Sequence, residues 1–182
     1  MAFQYPSLRE DCIRLLQLLP LGPEGQPQLK LINNVTISQK GLKYTALSYC
    51  WGDSNDTLPA LVDGMIFNIT RNLHQALVSI VSHHQSITGT FVWIDAICIN
   101  QENAEEKSRQ VSQMWRIFGS ARRVLAWLGP EDETSEAMFE ALNQVRRHMR
   151  RAQNRLVPSA AGARISRNKS RRVDISKCIK TC

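Results

Sequence analysis

The sequence predicts an α/β fold. It reads as a mostly parallel sheet flanked by helices, a three-layer arrangement of the flavodoxin-like kind, with extra strands and a hairpin added on the N-terminal side. Three observations lead there. The segments "YTALSY", "TFVWIDAICI" and "RRVLAWLGP" are short and rich in β-formers. From residue 70 onward such segments alternate with stretches of helical period, giving the order helix, strand, helix, strand, helix after the strand at 44–50. At 182 residues with 43% hydrophobic content, the chain is long enough for one domain with a real core.

The elements follow in order. "IRLLQLL" (13–19) reads as a first strand, and the Gly/Pro-rich "LGPEGQPQ" as a loop. "LKLINNVTI" adds a second short strand. "KYTALSYCWGD" (43–53) is a strand that ends in a Gly-Asp turn. "LVDGMIFNI" (61–69) sets Asp63-Gly64 between apolar flanks, a hairpin signal. Thr70 is placed to cap a helix over about 71–83, in which Leu73, Leu77 and Ile80 share one face beside Ala76.

"TFVWIDAICI" is apolar on both faces, as a strand buried inside a parallel sheet should be. Its one acid, Asp95, falls on the face of Phe91, Trp93, Ile97 and Ile99. A helix over about 104–119 sets Val111, Met114, Trp115 and Phe118 at i, i+3, i+4, i+7, the spacing of a core stripe. "RRVLAWLGP" is a further buried strand, stopped by Gly129-Pro130. A third helix is expected from Thr134 or Ser135, carrying Ala137, Met138 and Leu142.

The charge divides the chain. Residues 1–142 hold 11 Lys and Arg against 15 Asp and Glu, a net charge of −4. Residues 143–182 hold 12 against one, a net charge of +11. The organisation is therefore lead-in strands and loop (1–43), α/β core (44–142), and a basic tail (143–182) whose composition predicts disorder. The tail suits nonspecific polyanion attraction and a nuclear import signal. It lacks the aromatic residues that stack on single-stranded nucleic acid.

No apolar run approaches the roughly 18 to 20 residues a membrane span needs. The N-terminal stretch has acids before its apolar run and no basic leader, which argues against a secretory signal. Cytoplasmic localisation is the default, with the nucleus open through the tail. The cysteines, Cys12, Cys50, Cys98, Cys178 and Cys182, are scattered and odd in number, unlike a disulfide framework or a zinc set. Cys50 and Cys98 are expected to be buried reduced thiols. The histidines lack metal spacing, and neither a Gly-rich phosphate loop nor a GxSxG elbow occurs.

In open α/β sheets ligands bind beyond the carboxyl ends of the strands. Two strands end in polar clusters, "SYCWGDSND" and "DAICINQEN". If they are neighbours, Ser48, Trp51, Gly52, Asp53, Asn100 and Gln101 line one crevice. A buried carboxylate such as Asp95 needs partners. It either braces a loop through backbone N–H groups, or binds a ligand hydroxyl, or acts as an acid/base group. In "EEKSRQ" (105–110), Glu105 and Glu106 suit a helix N-terminus, and Glu105–Arg109 is an i,i+4 pair on a solvated face. Gln110 is placed to reach a core polar network.

"YTALSYCWGD", "ITRNLHQAL" and "FVWIDAICINQENAEEKSRQVSQMWRIFGSARRVLAWLGP", in that order, resemble the successive motifs of the heterokaryon incompatibility (HET) domain of filamentous fungi. The resemblance covers roughly residues 5–142. It implies fungal non-self recognition with programmed cell death as output, and partners among HET-domain or incompatibility proteins, self-association included. It places Ser48, Tyr49, Trp51 and Gly52 in an "LSYCWG" motif, Asp95, Asn100 and Gln101 in "WIDAICINQ", and Lys107 and Gln110 in "EKxxQV". A proposed distant kinship with TIR domains implies NAD or a related nucleotide as a conceivable cofactor or substrate, with Asp95 as a candidate catalytic residue. The family's later "W-x-R-x-W-x-x-Q-E" segment is missing, so the chain looks like a HET domain cut short.

Overall fold

A computed structural model describes residues 3–83 and 89–130. The expected third helix and the basic tail, with the boundary between them at residue 142, lie outside these residues. The elements in chain order are β1 (Cys12–Leu18), β2 (Gln28–Thr36), β3 (Tyr44–Tyr49), β4 (Thr57–Val62), β5 (Met65–Thr70), α1 (Arg71–His83), β6 (Phe91–Trp93), α2 (Asp95–Cys98), α3 (Ala104–Ser112), α4 (Met114–Ser120) and β7 (Arg123–Trp127). The seven strands form one sheet in the order β5-β4-β2-β1-β6-β3-β7.

The class is α/β as expected, but the sheet is mixed rather than mostly parallel. β1 runs antiparallel to both β2 and β6, and β4 runs antiparallel to β5. The parallel pairs are β2–β4, β3–β6 and β3–β7. The physical reason lies in the connections. The short links from β1 to β2 and from β4 to β5 return the chain at once, which only antiparallel neighbours allow. β2 reaches its parallel neighbour β4 by way of β3, and the helices come later, α1 leading into β6 and α2 to α4 into β7, where β6, β3 and β7 lie side by side.

β1 is the centre of the sheet. Cys12 to Leu16 are buried one after another, so both of its faces are covered. β3 is buried likewise from Tyr44 to Leu47, and becomes exposed at Ser48. The core joins Ile13, Leu16, Leu47, Val92, Trp93 and Leu125 to the α1 residues Leu73, Leu77 and Ile80. The β4–β5 hairpin turns on Asp63 (φ 50°) and Gly64 (φ 77°), both in the left-handed region that a two-residue hairpin of this hand requires. Asp63 Oδ1 also accepts the Leu31 N–H at 3.1 Å, pinning the turn to β2.

Two expected elements differ. The strand read over "TFVWIDAICI" stops at Trp93, and the chain makes a single helical turn, α2, in which the N–H groups of Ile97 and Cys98 turn back to Ile94 O. Ile97 and Cys98 of α2 are buried as the turn packs on β1, and burial alone reads the same for a strand and a helical turn. Asp95 therefore opens α2 instead of sitting mid-strand.

The helix expected over 104–119 breaks at Gln113 into α3 and α4. Its buried face holds Glu106, Gln110 and Ile117, while Val111 and Trp115 are exposed at 50% and 76%. Of the expected stripe, Met114 and Phe118 do pack against the core, Phe118 edge to face with Trp93 at 5.4 Å, while polar partners on β1 hold the face of Glu106 and Gln110. Thr70 ends β5, and its hydroxyl has no partner among the described residues, so it does not cap α1. Cys50 is exposed, whereas Cys98 is buried as expected. No helix among the described residues is long and apolar enough to cross a membrane.

Candidate functional site

β3 and β6 are parallel neighbours, in register at Tyr44–Phe91, Thr45–Val92 and Ala46–Trp93. Their carboxyl ends therefore emerge together, and with them the loops that follow. Trp51 Nε1 donates to Asp95 Oδ2 at 3.0 Å, joining the loop after β3 to the start of α2. Asp95 Oδ1 accepts the Ala96 N–H at 2.8 Å, and Gln101 Nε2 donates to the Asp95 carbonyl at 3.1 Å. An acid at the first position of a helical turn faces N–H groups that have no partner in the turn, which suits a carboxylate there.

Tyr49, the last residue of β3, lies beside this joint. Its hydroxyl is buried and, among the described residues, has no hydrogen-bond partner. Burial first, and then the nearby Asp95 carboxylate, push its phenol well above the ordinary tyrosine range. At neutral pH it is a neutral donor beside a carboxylate. Trp51 remains 42% exposed, so the joint carries an aromatic face to solvent.

Gly52 (φ 74°) lets the loop after Trp51 turn, and a Cβ there would meet only Asn72 Cβ at 3.6 Å. The constraint on this glycine is thus its left-handed backbone, not space. Asn72 Nδ2 holds the Cys50 carbonyl, and Asn72 Oδ1 accepts from Trp127 Nε1 at 2.8 Å. One side chain from the first turn of α1 thereby links the ends of β3 and β7. The loop is closed further on by Arg71, whose guanidinium binds both Asp56 oxygens at 2.7 and 2.9 Å.

Behind the site is a buried ion pair. Arg14 is 1% exposed and Glu106 is 6% exposed. The Arg14 guanidinium donates to both Glu106 oxygens, at 3.0 Å for the Oε2 contact, and to the carbonyls of Cys98 (3.1 Å) and Pro6 (2.7 Å). Glu106 Oε1 also accepts the Asn100 N–H at 2.8 Å. Burial would raise the Glu106 carboxyl, but the Arg14 N–H groups, the Asn100 N–H and the neighbouring charges outweigh it and hold the group below its ordinary value. Asn103 caps α3 by accepting the Glu106 N–H at 2.9 Å, and Gln110 Nε2 donates to Cys12 O at 3.0 Å. The Cys98 thiol is pushed up to about 12, chiefly by burial, so it is not a nucleophile near neutral pH.

The expected site residues divide into groups. Trp51, Asp95 and Gln101 are joined by hydrogen bonds, with Tyr49 alongside and Gly52 shaping the loop. Asn100 faces the ion pair through its N–H, while its side chain accepts the Glu102 N–H at 3.2 Å. Asp53 turns its own loop by accepting the Asn55 N–H at 2.9 Å. Ser48 and Lys107 are exposed, and Gln110 is buried against β1. Glu106 belongs to the buried pair and not to a solvated face. Glu105 is exposed, 3.9 Å from Arg109 as the i,i+4 spacing foretold.

Arg14, Asn72 and Trp127 were not expected here. A signal existed for Arg14, because a cation inside "IRLLQLL" has to find a buried counter-charge. Nothing in the local sequence marks Asn72, whose partners lie 22 and 55 residues away.

The comparisons with known proteins converge. The family model described as heterokaryon incompatibility protein (HET) matches residues 44–179. A protein of Neurospora crassa described as "Heterokaryon incompatibility protein 6, OR allele" is 38% identical over 143 residues, covering 73% of this chain and 21% of that protein. The chain thus spans about a fifth of that relative's length. No solved structure matches the chain.

Proposed function

The chain belongs to the heterokaryon incompatibility (HET) family, and on that premise we propose that it is a signalling module of fungal non-self recognition. It works through protein contacts, and programmed cell death is the output. The observation that carries the reading is the joint between Trp51 and Asp95, which ties two of the family's motifs at the open ends of β3 and β6. Both Asp95 oxygens are held by donors of the chain itself. This favours a braced recognition face over a carboxylate free to move protons. A half-exposed tryptophan whose indole N–H is held by a carboxylate is the kind of residue that anchors protein interfaces.

The partner class that fits is another HET-domain or incompatibility protein, a second copy included. For the basic residues 143–182 we propose nonspecific attraction to polyanions, because their charge of +11 exceeds that of the whole chain.

The test is inducible expression in a filamentous fungus, with the native chain beside Trp51→Phe and Asp95→Ala at matched protein levels. Growth arrest is expected for the native chain, and growth for both variants. Unimpaired growth with folded native protein overturns the signalling reading. Arrest with all three chains overturns the assignment of the joint.

A further inference from the structure

We infer that the segment Phe3–Leu8 is a tether that sets the position of Asp95, with Tyr5 and Arg14 as its positioning residues. The inference rests on reading Trp51 and Asp95 as the working face. Residues 3–8 and Arg14 both lie before the stretch matched by the family model, which begins at residue 44.

α2 is a single turn of four residues, too short to hold its own geometry. Its last two carbonyls are held from outside. The Tyr5 hydroxyl donates to Ile97 O at 3.0 Å, and Arg14 Nη1 donates to Cys98 O at 3.1 Å. The same guanidinium takes Pro6 O at 2.7 Å, and its partner Glu106 takes the Asn100 N–H. Residues 97 to 100 are thus fastened by Tyr5 at one end, by Glu106 at the other and by Arg14 between them, and Asp95 begins the turn they close.

Residues 3–8 form neither strand nor helix, yet they are located by five separate elements. The Tyr5 ring lies over the Arg14 guanidinium at 4.8 Å on β1. Phe3 and Tyr5 pack edge to face with each other at 5.0 Å, and with Phe67 of β5 at 5.4 and 6.1 Å. Ser7 O accepts from Asn33 on β2 at 2.9 Å, and Leu8 O from Arg109 on α3 at 3.5 Å. With α2 itself, these contacts fix the segment against three strands, β1, β2 and β5, and couple their placement to one helical turn. A slack tether leaves α2 free to drift on β1, and Asp95 then loses its alignment with Trp51.

The indole N–H groups give the test its internal control. Trp51 Nε1–H depends on Asp95, whereas Trp127 Nε1–H depends on Asn72. The full chain, labelled with 15N at tryptophan, is compared with Tyr5→Phe, which deletes only the hydroxyl. Each indole signal is assigned by the matching Trp→Phe variant.

The expected result is a shifted Trp51 signal whose N–H exchanges about five-fold faster, the factor that one lost hydrogen bond supplies, with Trp127 unchanged. Tyr5→Leu, which also removes the ring from Arg14 and Phe67, is expected to give the same pattern with larger amplitude. An unmoved Trp51 in both variants overturns the inference, and so does equal loosening of Trp51 and Trp127. The readout is independent of cell death, so a failure in the growth assay sinks the functional reading and leaves this result standing.

Discussion

Replacing Glu106 by Gln removes the counter-charge from a guanidinium that is almost wholly buried, a loss on the order of 3 kcal/mol. The pH dependence carries a definite sign. The Glu106 carboxyl lies below its ordinary value in the folded chain. The pair therefore stabilises fully above the unfolded value of about 4.3, and this contribution is lost as pH falls through the folded value. Chemical denaturation of the native chain across this range is expected to show stability falling with acid, and Glu106→Gln is expected to show a flatter profile and lower stability at pH 7. An equal slope in both would assign the acid sensitivity to other carboxylates. Asp95 was legible as a site candidate because an acid among apolar residues must find partners. Glu106 was read only as an acid suited to a helix N-terminus, because that position explains a surface acid and a buried one equally well. Its true partner, Arg14, is 92 residues away.

At the level of elements, the strands and α1 follow their patterns closely, and the hairpin turns at the Asp63-Gly64 pair its sequence marks. The misses are the strand that became β6 and α2, and the helix that broke into α3 and α4. In each, the apolar pattern was real but ambiguous. A run buried on both faces does not distinguish a strand from a strand followed by one packed turn. In α3 the buried positions are the polar Glu106 and Gln110, and in α4 the buried position is Ile117, so the most deeply buried face is not the one the apolar spacing marks. Thermal or denaturant unfolding checks this assignment. Ile117→Ala is expected to cost about 2 to 5 kcal/mol, whereas Trp115→Ser should stay within about 0.5 kcal/mol. A large cost at Trp115 would restore the apolar stripe as the packing face.

For the whole molecule, charge is the property set most directly by composition. The chain is expected to bind a heparin column at low salt and to elute as salt rises, because polyanion binding releases counterions. Removal of residues 143–182, which leaves a net charge of −4, is expected to abolish retention, and retention by the shortened chain would place the basic surface elsewhere. The sequence by itself determined the α/β class, the order of most elements, the hairpin turn, the opposed charges of core and tail, and the family, because these depend on local pattern and composition. Only the tertiary structure decided the mixed sheet, the antiparallel placement of β1 at its centre, the Arg14–Glu106 pair and the Asn72 link between β3 and β7. Strand direction and buried polar pairing are settled by which distant segments meet. That choice minimises unpaired backbone and uncompensated charge over the whole chain, and no window of a dozen residues contains it.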